Sequence, residues 1–390
     1  MKIRGAYGEV GNDKIGSDKY YYLQTYPMLT SNRPSFGIDN NPENRIYEGK
    51  EGNLDVTWER ARKLNVGIDM RFFNSKLALT VDAFTEKRVN ILDYDRSIST
   101  IYGMLGATDG NKGFPPQNLG EVRNSGFEID ASFNDRIGKV SYYVKGNMSF
   151  ARNKVLKKGE EPQTYSWTSA IGRKVGQRFG MITDGFYNTQ EEIAALPSRF
   201  SSNLKLGDLK YRDINDDGVI DSYDVAPIGK TRLPEIMYGF TFGGSWKGVD
   251  WQIFFQGAAI TDLYVNGYGY WEFTNTGSVM KHHLGRWTPD NKENATYPSL
   301  SPTTSKQNHR LSTFWLKNGN YLRLKNMQIG YTLPTSWTKK ARIASARIYV
   351  SGTNLLTFAG FKEYDPESND GGNTSYPQMR NYSVGLNLKF

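Results

Sequence analysis

Apolar and polar residues alternate with a period of two along much of the chain, the pattern of a strand whose two faces meet different surroundings. In "GKVSYYVKGNMSFARN" the residues from Val140 to Phe150 place apolar side chains at every second position. The preceding "SGFEIDASFNDRIG" sets Phe127 and Ile129 against Glu128 and Asp130. The link "NDRIG" is short, so the two segments predict one antiparallel hairpin.

The same pattern recurs further along the chain. The segment "LNVGIDMRFF" is followed closely by "LALTVDAF", and "YGFTFGGSW" by "VDWQIFFQG". Two more strands, "YLRLKNMQIGYTLP" and "SARIYVSGTNLLTF", flank a short basic connector at 335–344, and the chain closes on "NYSVGLNLKF". We expect about ten strands of roughly 9–15 residues, which is long for a soluble sandwich and enough to cross a bilayer at a tilt.

The connections between these strands alternate in length. Short turns follow Phe73, Asn134 and Trp246, whereas long segments rich in Gly, Asn and Pro cover 11–58, 91–119, 155–234, 263–318 and 358–379. Such long connections are uncommon in a compact soluble domain. They are typical of an outer-membrane barrel, which has short periplasmic turns and long extracellular loops. The predicted fold is therefore all-β, an antiparallel transmembrane β-barrel, and segment 155–234 has room for further short strands.

The last strand carries an apolar face that ends in an aromatic residue. The residues on this face are Tyr382, Val384, Leu386, Leu388 and Phe390. This pattern resembles the terminal signal that outer-membrane proteins present to the barrel assembly machinery. The alternative is an ordinary edge strand that happens to end in Phe. An exposed apolar face at a chain end needs a cover of lipid or protein, which favours the assembly signal.

Composition narrows the chemistry and the partners. The 390 residues contain no cysteine, which excludes disulfides, thiolate catalysis and cysteine-ligated zinc. The net charge of +9 suggests an anionic neighbour such as nucleic acid, acidic lipid or lipopolysaccharide. We find no long basic block and no nucleic-acid motif, so nucleic acid is not expected, and most of the Lys and Arg residues read as solvated. The start "MKIRGAYGEV" has no apolar signal region and reads as a strand already under way, which indicates a chain that begins mid-domain.

The stretch "DINDDGVIDSYD" has the spacing of a calcium-binding loop. Its candidate ligands are Asp213, Asn215, Asp217, the carbonyl of Val219, Asp221 and Asp224, at loop positions one, three, five, seven, nine and twelve. Position twelve carries Asp where EF-hands normally have Glu, and no amphipathic helices flank the loop. We therefore expect a structural Ca²⁺ site in an extracellular loop rather than an EF-hand. The alternative is a turn around Gly218 that Asx hydrogen bonds hold without an ion.

Aromatic residues form a second candidate site in "TDLYVNGYGYWEFTN". Rings that could stack on sugar faces belong to Tyr264, Tyr268, Tyr270 and Trp271, with Trp167 and Trp287 as similar loop candidates. An interfacial girdle or packing among loops is the alternative, and we weigh it more heavily. The chain has three histidines, His282, His283 and His309. With no cysteine and no carboxylate at helical spacing, they are expected as polar surface residues rather than metal ligands.

An ordered set of segments resembles the C-terminal part of SusC/RagA-type TonB-dependent transporters of Bacteroidetes outer membranes. The segments include "RGAYGEVGNDKI", "TWERARKLNVGID", "NLGEVRNSGFEID", "FGMITDGFYNTQEEI", "GDLKYRDINDDGVIDSYDVAPIG", "YLRLKNMQIGYTLP", "IYVSGTNLLTF" and "YDPES". The resemblance implies a barrel of about 22 strands with a plugged lumen, of which residues 1–390 form one C-terminal portion. The plug domain and signal peptide are expected to lie outside these residues, which alone would not close a working barrel.

The resemblance also implies a function and partners. Members of this family import oligosaccharides or peptides with a SusD-like lipoprotein, and TonB–ExbB–ExbD supplies the energy. Two other classes stay open: a surface carbohydrate-binding β protein with a structural calcium loop, and a β-rich glycoside hydrolase. We see no nucleophile motif, no phosphate-binding glycine loop and no carboxylate pair that stands out, so no enzyme activity is expected.

Overall fold

The computed structural model describes most of the chain. The described residues are 1–13, 20–29, 34–38, 41–46, 49, 51–97, 114–303, 305–368, 370, 376 and 378–390. Parts of the predicted long connections 11–58, 91–119, 263–318 and 358–379 lie outside these residues.

Ten long strands form one sheet. They are β1 (Lys2–Asn12), β2 (Glu59–Phe72), β3 (Leu77–Asp93), β4 (Gln117–Ile137), β5 (Val140–Lys157), β6 (Ile236–Trp246), β7 (Val249–Ala259), β8 (Tyr321–Thr332), β9 (Ser345–Ala359) and β10 (Asn381–Lys389). Each strand pairs antiparallel with the next one along the chain, and β1 and β10 lie at the two edges. The predicted all-β antiparallel sheet is confirmed. The strands have 9 to 21 residues, longer than expected, because β3, β4 and β5 continue beyond the apolar part of the sheet.

Four short connections alternate with the long ones, as expected, although the second begins at residue 138 and not after Asn134, because β4 continues through Ile137. They cover residues 73–76, 138–139, 247–248 and 333–344, the last with a short helix at Thr335–Thr338. Lys247 and Gly248 both have positive φ (46° and 87°), as a two-residue hairpin turn of type I′ requires. Gly supplies this conformation at the second position without steric cost.

The two faces of the sheet differ in polarity, row by row. One cross-strand row on the apolar face joins nine strands through Phe72, Leu77, Phe133, Val144, Phe242, Ile253, Met327, Gly352 and Tyr382. The neighbouring row on the opposite face reads Arg71, Ala78, Ser132, Lys145, Thr241, Phe254 and Asn326. The apolar face is largely exposed, for instance at Val66 and Val350. A contiguous exposed apolar surface of this extent calls for lipid or protein against it.

The long connections between β5 and β6 and between β7 and β8 fold into a second layer, which we call the loop layer (158–235 and 260–320). Its short strands are Arg178–Gly180 with Ala226–Ile228, Thr183–Phe186 with Leu209–Tyr211, and Asp262–Tyr264 with Leu316–Asn318, and its helix is Gln190–Ala195. Its core, together with Phe361 of the next connection, contains Met181, Leu209, Tyr211, Ile220, Leu263, Val265, Tyr270, Tyr297 and Trp315. Further short strands within 155–234 are thus present, as expected. Two more pairs, Met28–Leu29 with Arg45–Ile46 and Ser35–Phe36 with Asn41–Pro42, lie in the first long connection.

No described helix has the length and apolar character needed to cross a membrane.

Because lipid is expected to cover the apolar face, a charge introduced on that face of β4 should destabilise the protein more than a charge on the polar face. Ile129 lies in the middle of the apolar face and Ser132 on the polar face. We expect Ile129→Arg to lower the free energy of unfolding from lipid bilayers by about 2–4 kcal/mol, the cost of Arg at the bilayer midplane. Ser132→Arg, the control, should change it by less than about 1 kcal/mol. Urea titration of the native gene product in liposomes measures both, and equal costs would contradict a lipid-facing surface.

Candidate functional site

The acidic loop is closed by hydrogen bonds from its own backbone. The Asp213 carboxylate accepts the N–H groups of Asp216 and Gly218 at 2.8 and 2.7 Å. Asp217 accepts the N–H of Val219 at 2.9 Å and the side-chain amide of Asn215 at 3.0 Å. Gly218 has a φ of 79°, the left-handed conformation that the loop needs at its sharp turn.

The last two acidic residues of the motif lie deeper. Asp224 is fully buried, and its carboxylate accepts the N–H groups of Ile214 and Asp221 at 2.7 and 2.9 Å. Burial raises the pKa of Asp224, and repulsion from Asp213 adds to the shift. The Asp221 carboxylate accepts the N–H of Tyr223 at 2.8 Å and pairs with Arg199 at 3.3 Å.

These contacts are those of an Asx turn, the alternative to a bound ion. Among the described residues, no group of three or more His, Cys, Asp or Glu side chains is arranged to hold a metal. The loop still carries the oxygen donors that Ca²⁺ prefers, and Asp213 raises the pKa of buried Asp224, a repulsion that a cation would offset. Structural calcium binding through Asp213, Asn215, Asp217, Val219, Asp221 and Asp224 therefore stays a proposal.

The aromatic candidates divide between the core and the surface. Tyr270 is 6% exposed, with its ring against His282, Trp315 and Phe361, so it is a packing residue. Tyr268 is 49% exposed and is the most accessible of the four predicted rings.

The other predicted rings are partly or fully covered. Tyr264 and Trp271 pack against the core, and Trp271 stacks on His309 with ring centres 4.5 Å apart. Trp167 stacks on Tyr165, and Trp287 is buried with its indole N–H donated to Asn188. Substrate contact by Tyr264, Tyr268 or Trp271 stays a prediction.

The expectation that the histidines are surface residues is wrong for two of them. His283 is 2% exposed and His309 is 8% exposed. Both lie in the aromatic cluster of the loop layer, where His283 meets Tyr297 edge-on and His309 stacks on Trp271. Spacing alone does not reveal this burial, because the segment around both histidines is irregular and their ring partners, Tyr297 and Trp271, follow no period relative to them.

A buried carboxylate organises this cluster. Glu272 accepts the hydroxyl of Tyr297 at 2.7 Å, Nε2–H of His309 at 3.0 Å and the N–H of Ser301 at 3.0 Å. Nδ1 of His309 accepts the N–H of Ser305, which places the proton on Nε2. Burial opposes ionisation of Glu272, but the hydrogen bonds from His309 and Tyr297 outweigh it and hold its pKa below the ordinary value.

A second buried network joins the two halves of the loop layer. Asn308 accepts the N–H of Leu209 and donates to Asp208, both at 2.8 Å. The side-chain amide of Gln307 donates to the backbone carbonyl of Leu209 at 2.8 Å, and the backbone carbonyl of Gln307 accepts the hydroxyl of Tyr211 at 2.5 Å. These bonds join residues almost one hundred positions apart, so they hold the layer as one unit.

The segment "YDPES" fastens the connection after β9 to the sheet. Arg323 on β8 is 1% exposed and donates to both carboxylate oxygens of Asp365 at 2.7 and 2.8 Å. It also donates to Glu367 at 2.5 Å and to the Thr357 hydroxyl at 3.0 Å. A buried Arg with this many charge-assisted bonds fixes the segment on the rim of the sheet.

The predicted assembly signal lies on an edge strand. Tyr382, Val384, Leu386 and Leu388 lie on one face of β10, and all four side chains are exposed, as is Phe390. Each of the four pairs with a residue of β9. Recognition of this strand by assembly machinery stays a prediction.

Comparison with known proteins decides the family. Residues 3–355 match the family described as "TonB dependent receptor-like, beta-barrel". The chain belongs to this family. The predicted SusC/RagA resemblance is confirmed, and the family places the chain in the outer membrane. It is a family of transporters and not of enzymes, which confirms the expectation of no catalytic activity.

Curated relatives align over the whole chain. TonB-dependent receptor P3 of Formosa agariphila is 26% identical, and the alignment covers 100% of this chain and 39% of the relative. TonB-dependent receptor SusC of Bacteroides thetaiotaomicron is 23% identical, with 100% and 37% covered. The chain thus spans about 40% of the length of the relatives that it matches.

Solved structures show the same fold. The RagAB peptide importer in its open-open state superposes with a TM-score of 0.74 at 23% identity, covering 100% of this chain and 40% of that chain. The RagAB peptide transporter gives 0.72 at the same identity.

Acid should loosen the loop layer. Burial lowers the pKa of His283 from its ordinary value of 6.5, and His282 adds to the shift. Below about pH 6.5, His283 becomes protonated in the unfolded layer but not in the folded layer. The free energy of unfolding therefore decreases as the pH falls, until the pH reaches the folded-state pKa of His283. Glu272, whose folded pKa is also lowered, extends the loss to lower pH.

We expect limited proteolysis within 260–320 to accelerate between about pH 7.5 and 5.5, by at most about tenfold per pH unit for one titrating group. His283→Asn keeps an acceptor for the N–H of Met280 but cannot titrate, and should flatten this dependence. An unchanged profile in His283→Asn would contradict the assignment.

Calcium should protect the acidic loop from proteolysis. Asp217 occupies a ligand position, whereas its neighbour Asp216 does not, which makes Asp216→Asn the control. We expect chelation to speed cleavage near residue 217 several-fold in the wild type and in Asp216→Asn. Asp217→Ala, which removes the ligand oxygens, should be cleaved fast with or without calcium. Equal cleavage of the wild type with calcium and with chelator would show that the hydrogen bonds alone hold the turn.

Proposed function

We propose that this chain is part of a TonB-dependent importer that carries peptides or oligosaccharides across the outer membrane. The observation that supports it most is the family match over residues 3–355. Relatives and structural neighbours that cover the whole chain include SusC and a protein named as a peptide importer. Because the chain spans about 40% of those proteins, the activity belongs to the whole protein and remains a proposal.

The two faces of the sheet suit such an importer. The apolar face fits lipid, and the polar face would line the lumen. Polar side chains there bond to each other across strands: Arg347 donates to Asp250 at 2.5 and 2.8 Å, and Tyr143 donates to Gln252 at 3.1 Å. Side chains that are already hydrogen-bonded to each other suit the wall of a hydrated passage for polar oligomers. Unpaired charges on the wall would instead bind the cargo and hold it there.

The loop layer suits a mouth that meets a partner. Its core and buried networks give a firm surface at the end of the sheet where the long connections lie, which is the extracellular end in outer-membrane barrels. We propose a SusD-like lipoprotein at this mouth, in keeping with the names SusC and RagAB. TonB–ExbB–ExbD would supply the energy. We assign its contact to none of the described residues.

A soluble surface protein that binds carbohydrate is the other candidate, and the apolar face disfavours it. Such a protein would expose to water a row of eight apolar side chains and one glycine across nine strands. Soluble monomers rarely tolerate apolar patches of that size.

Uptake by cells tests the import proposal. Deletion of the native gene should abolish uptake of either labelled oligopeptides or labelled oligosaccharides, and depletion of TonB should have the same effect. Uptake of both classes at the wild-type rate after deletion would contradict import.

The exposed ring of Tyr268 provides a finer test. Tyr268→Ala should weaken uptake several-fold at limiting cargo while leaving the protein folded, if this ring contacts cargo or lid. Tyr270→Ala, the core control, should instead lower the free energy of unfolding by about 3–5 kcal/mol. Uptake at the wild-type rate by Tyr268→Ala would show that this residue does not contact the cargo or the lid, and the import proposal would be unaffected.

A further inference from the structure

Four cations stand directly opposite each other on neighbouring strands of the apolar face. Register pairs Arg62 with Lys87, Lys87 with Arg123, and Arg123 with Lys154. We call these four residues the basic row. Like charges directly opposite across strands destabilise a sheet, so an uninterrupted row of four calls for a compensating anion.

The contacts of the row confirm that it faces the same side as the apolar residues. Thr85 and Ser125, one register step nearer the apolar band, share a hydrogen bond of 2.8 Å across the strands. Lys87 reaches Glu121 at 2.8 Å, and Arg62 reaches Glu9 at 3.3 Å, on the same face.

The height of the basic row matches the edge of a lipid leaflet. Its members lie ten residues along their strands from Phe72, Leu77, Phe133 and Val144, which form one apolar row. Ten residues at about 3.3 Å each, tilted by about 40°, rise about 25 Å, the height of the apolar band of an outer-membrane barrel. The row lies toward the long connections and therefore at the outer leaflet.

Carboxylates of the protein pair with only two of the four cations in the basic row. Lys87 and Arg62 have the carboxylates of Glu121 and Glu9. Glu121 is shared with Lys157 at 2.6 Å, and Glu9 with Arg60 at 3.1 Å. In the part of the chain that the structure describes, Arg123 and Lys154 are exposed and make no ion pair or side-chain hydrogen bond. The unmet charge is thus concentrated on this one pair.

We propose that the basic row, centred on Arg123 and Lys154, binds the phosphate groups of a phosphorylated glycolipid in the outer leaflet. Two adjacent cations on neighbouring strands suit a phosphate with several acceptor oxygens, and Arg can bind it through two parallel hydrogen bonds. Four residues further down their strands, Phe127 and Phe150 of the apolar face would contact the acyl chains of the same lipid. The occupant is therefore a lipid with an anionic head rather than a soluble anion.

This inference depends on the orientation of the sheet in the membrane and not on the imported cargo. Its failure would leave the import proposal intact, and the uptake experiments do not test it.

Lipid binding to the purified native protein tests the proposal. The protein is placed in nanodiscs of phosphatidylcholine and titrated with fluorescent bisphosphorylated lipid A. We expect Arg123→Gln/Lys154→Gln to bind at least about tenfold more weakly than the wild type, since charge-assisted hydrogen bonds are lost. The control Arg71→Gln/Lys145→Gln removes the same charge from the polar face of β2 and β5, and should bind like the wild type.

Three further measurements keep the outcome decisive. Arg123→Lys/Lys154→Arg preserves charge and should bind within about threefold of the wild type, which separates charge loss from misfolding. Dephosphorylated lipid A should bind the wild type as weakly as it binds the double Gln variant. Inorganic phosphate and phosphatidylglycerol should compete poorly.

Wild-type affinity in the double Gln variant, or equal binding of dephosphorylated lipid, would overturn the proposal. Efficient competition by inorganic phosphate would indicate a free-anion site, and competition by phosphatidylglycerol a surface for any anionic lipid. Either result would overturn the glycolipid assignment.

Discussion

Backbone hydrogen bonding in lipid is the constraint on which this structure depends. A hydrocarbon environment offers no water to pair with backbone N–H and C=O groups, so strands there must bond to other strands. The ten strands meet this need by pairing each with its sequence neighbour. The side chains are then free to alternate, with one face apolar and the other polar. In the described sheet β1 and β10 have one neighbour each, and a closed barrel would give each strand a second one.

The membrane sheet and the loop layer are built from different interactions. Cross-strand pairing fixes the sheet, and exposed apolar side chains suit its lipid surface. The loop layer instead resembles a small soluble domain. It has an aromatic core around Trp315 and Tyr297, and its buried polar groups are bonded to each other across almost one hundred residues of sequence. Arg323 on β8 holds Asp365 and Glu367 of the connection after β9, and Phe361 of the same connection packs into the core of the loop layer, so this connection links the two parts.

The period of two was enough to predict the long strands. Each strand has two distinct surroundings, so alternation such as Phe127, Glu128, Ile129 and Asp130 reports them directly. The ends of β3, β4 and β5 were missed, because Lys87, Arg123 and Lys154 replace apolar residues on the apolar face there and the alternation fades. The basic row lies in this region and is visible only once register places Arg123 against Lys154.

The core of the loop layer could not be derived from the sequence in the same way. Its apolar residues follow no period, and their partners lie at separations that range from that of Tyr297 and Trp315 to that of Met181 and Ser312. For that reason His283 and His309 were expected at the surface, and Tyr270 was included among the rings for substrate. The dense "YGYWEF" run was the one local hint, since several adjacent aromatic residues seldom all face water.

Accessibility along β4 tests the central claim most directly. The chain contains no cysteine, so single cysteines can be introduced at each position from 127 to 132 and labelled in native outer membranes. The structure predicts that labels at Phe127, Ile129 and Ala131 respond to a lipid-soluble quencher, and labels at Glu128, Asp130 and Ser132 to a water-soluble one. Uniform access of the water-soluble quencher to all six positions would contradict a membrane-spanning sheet with one face against lipid.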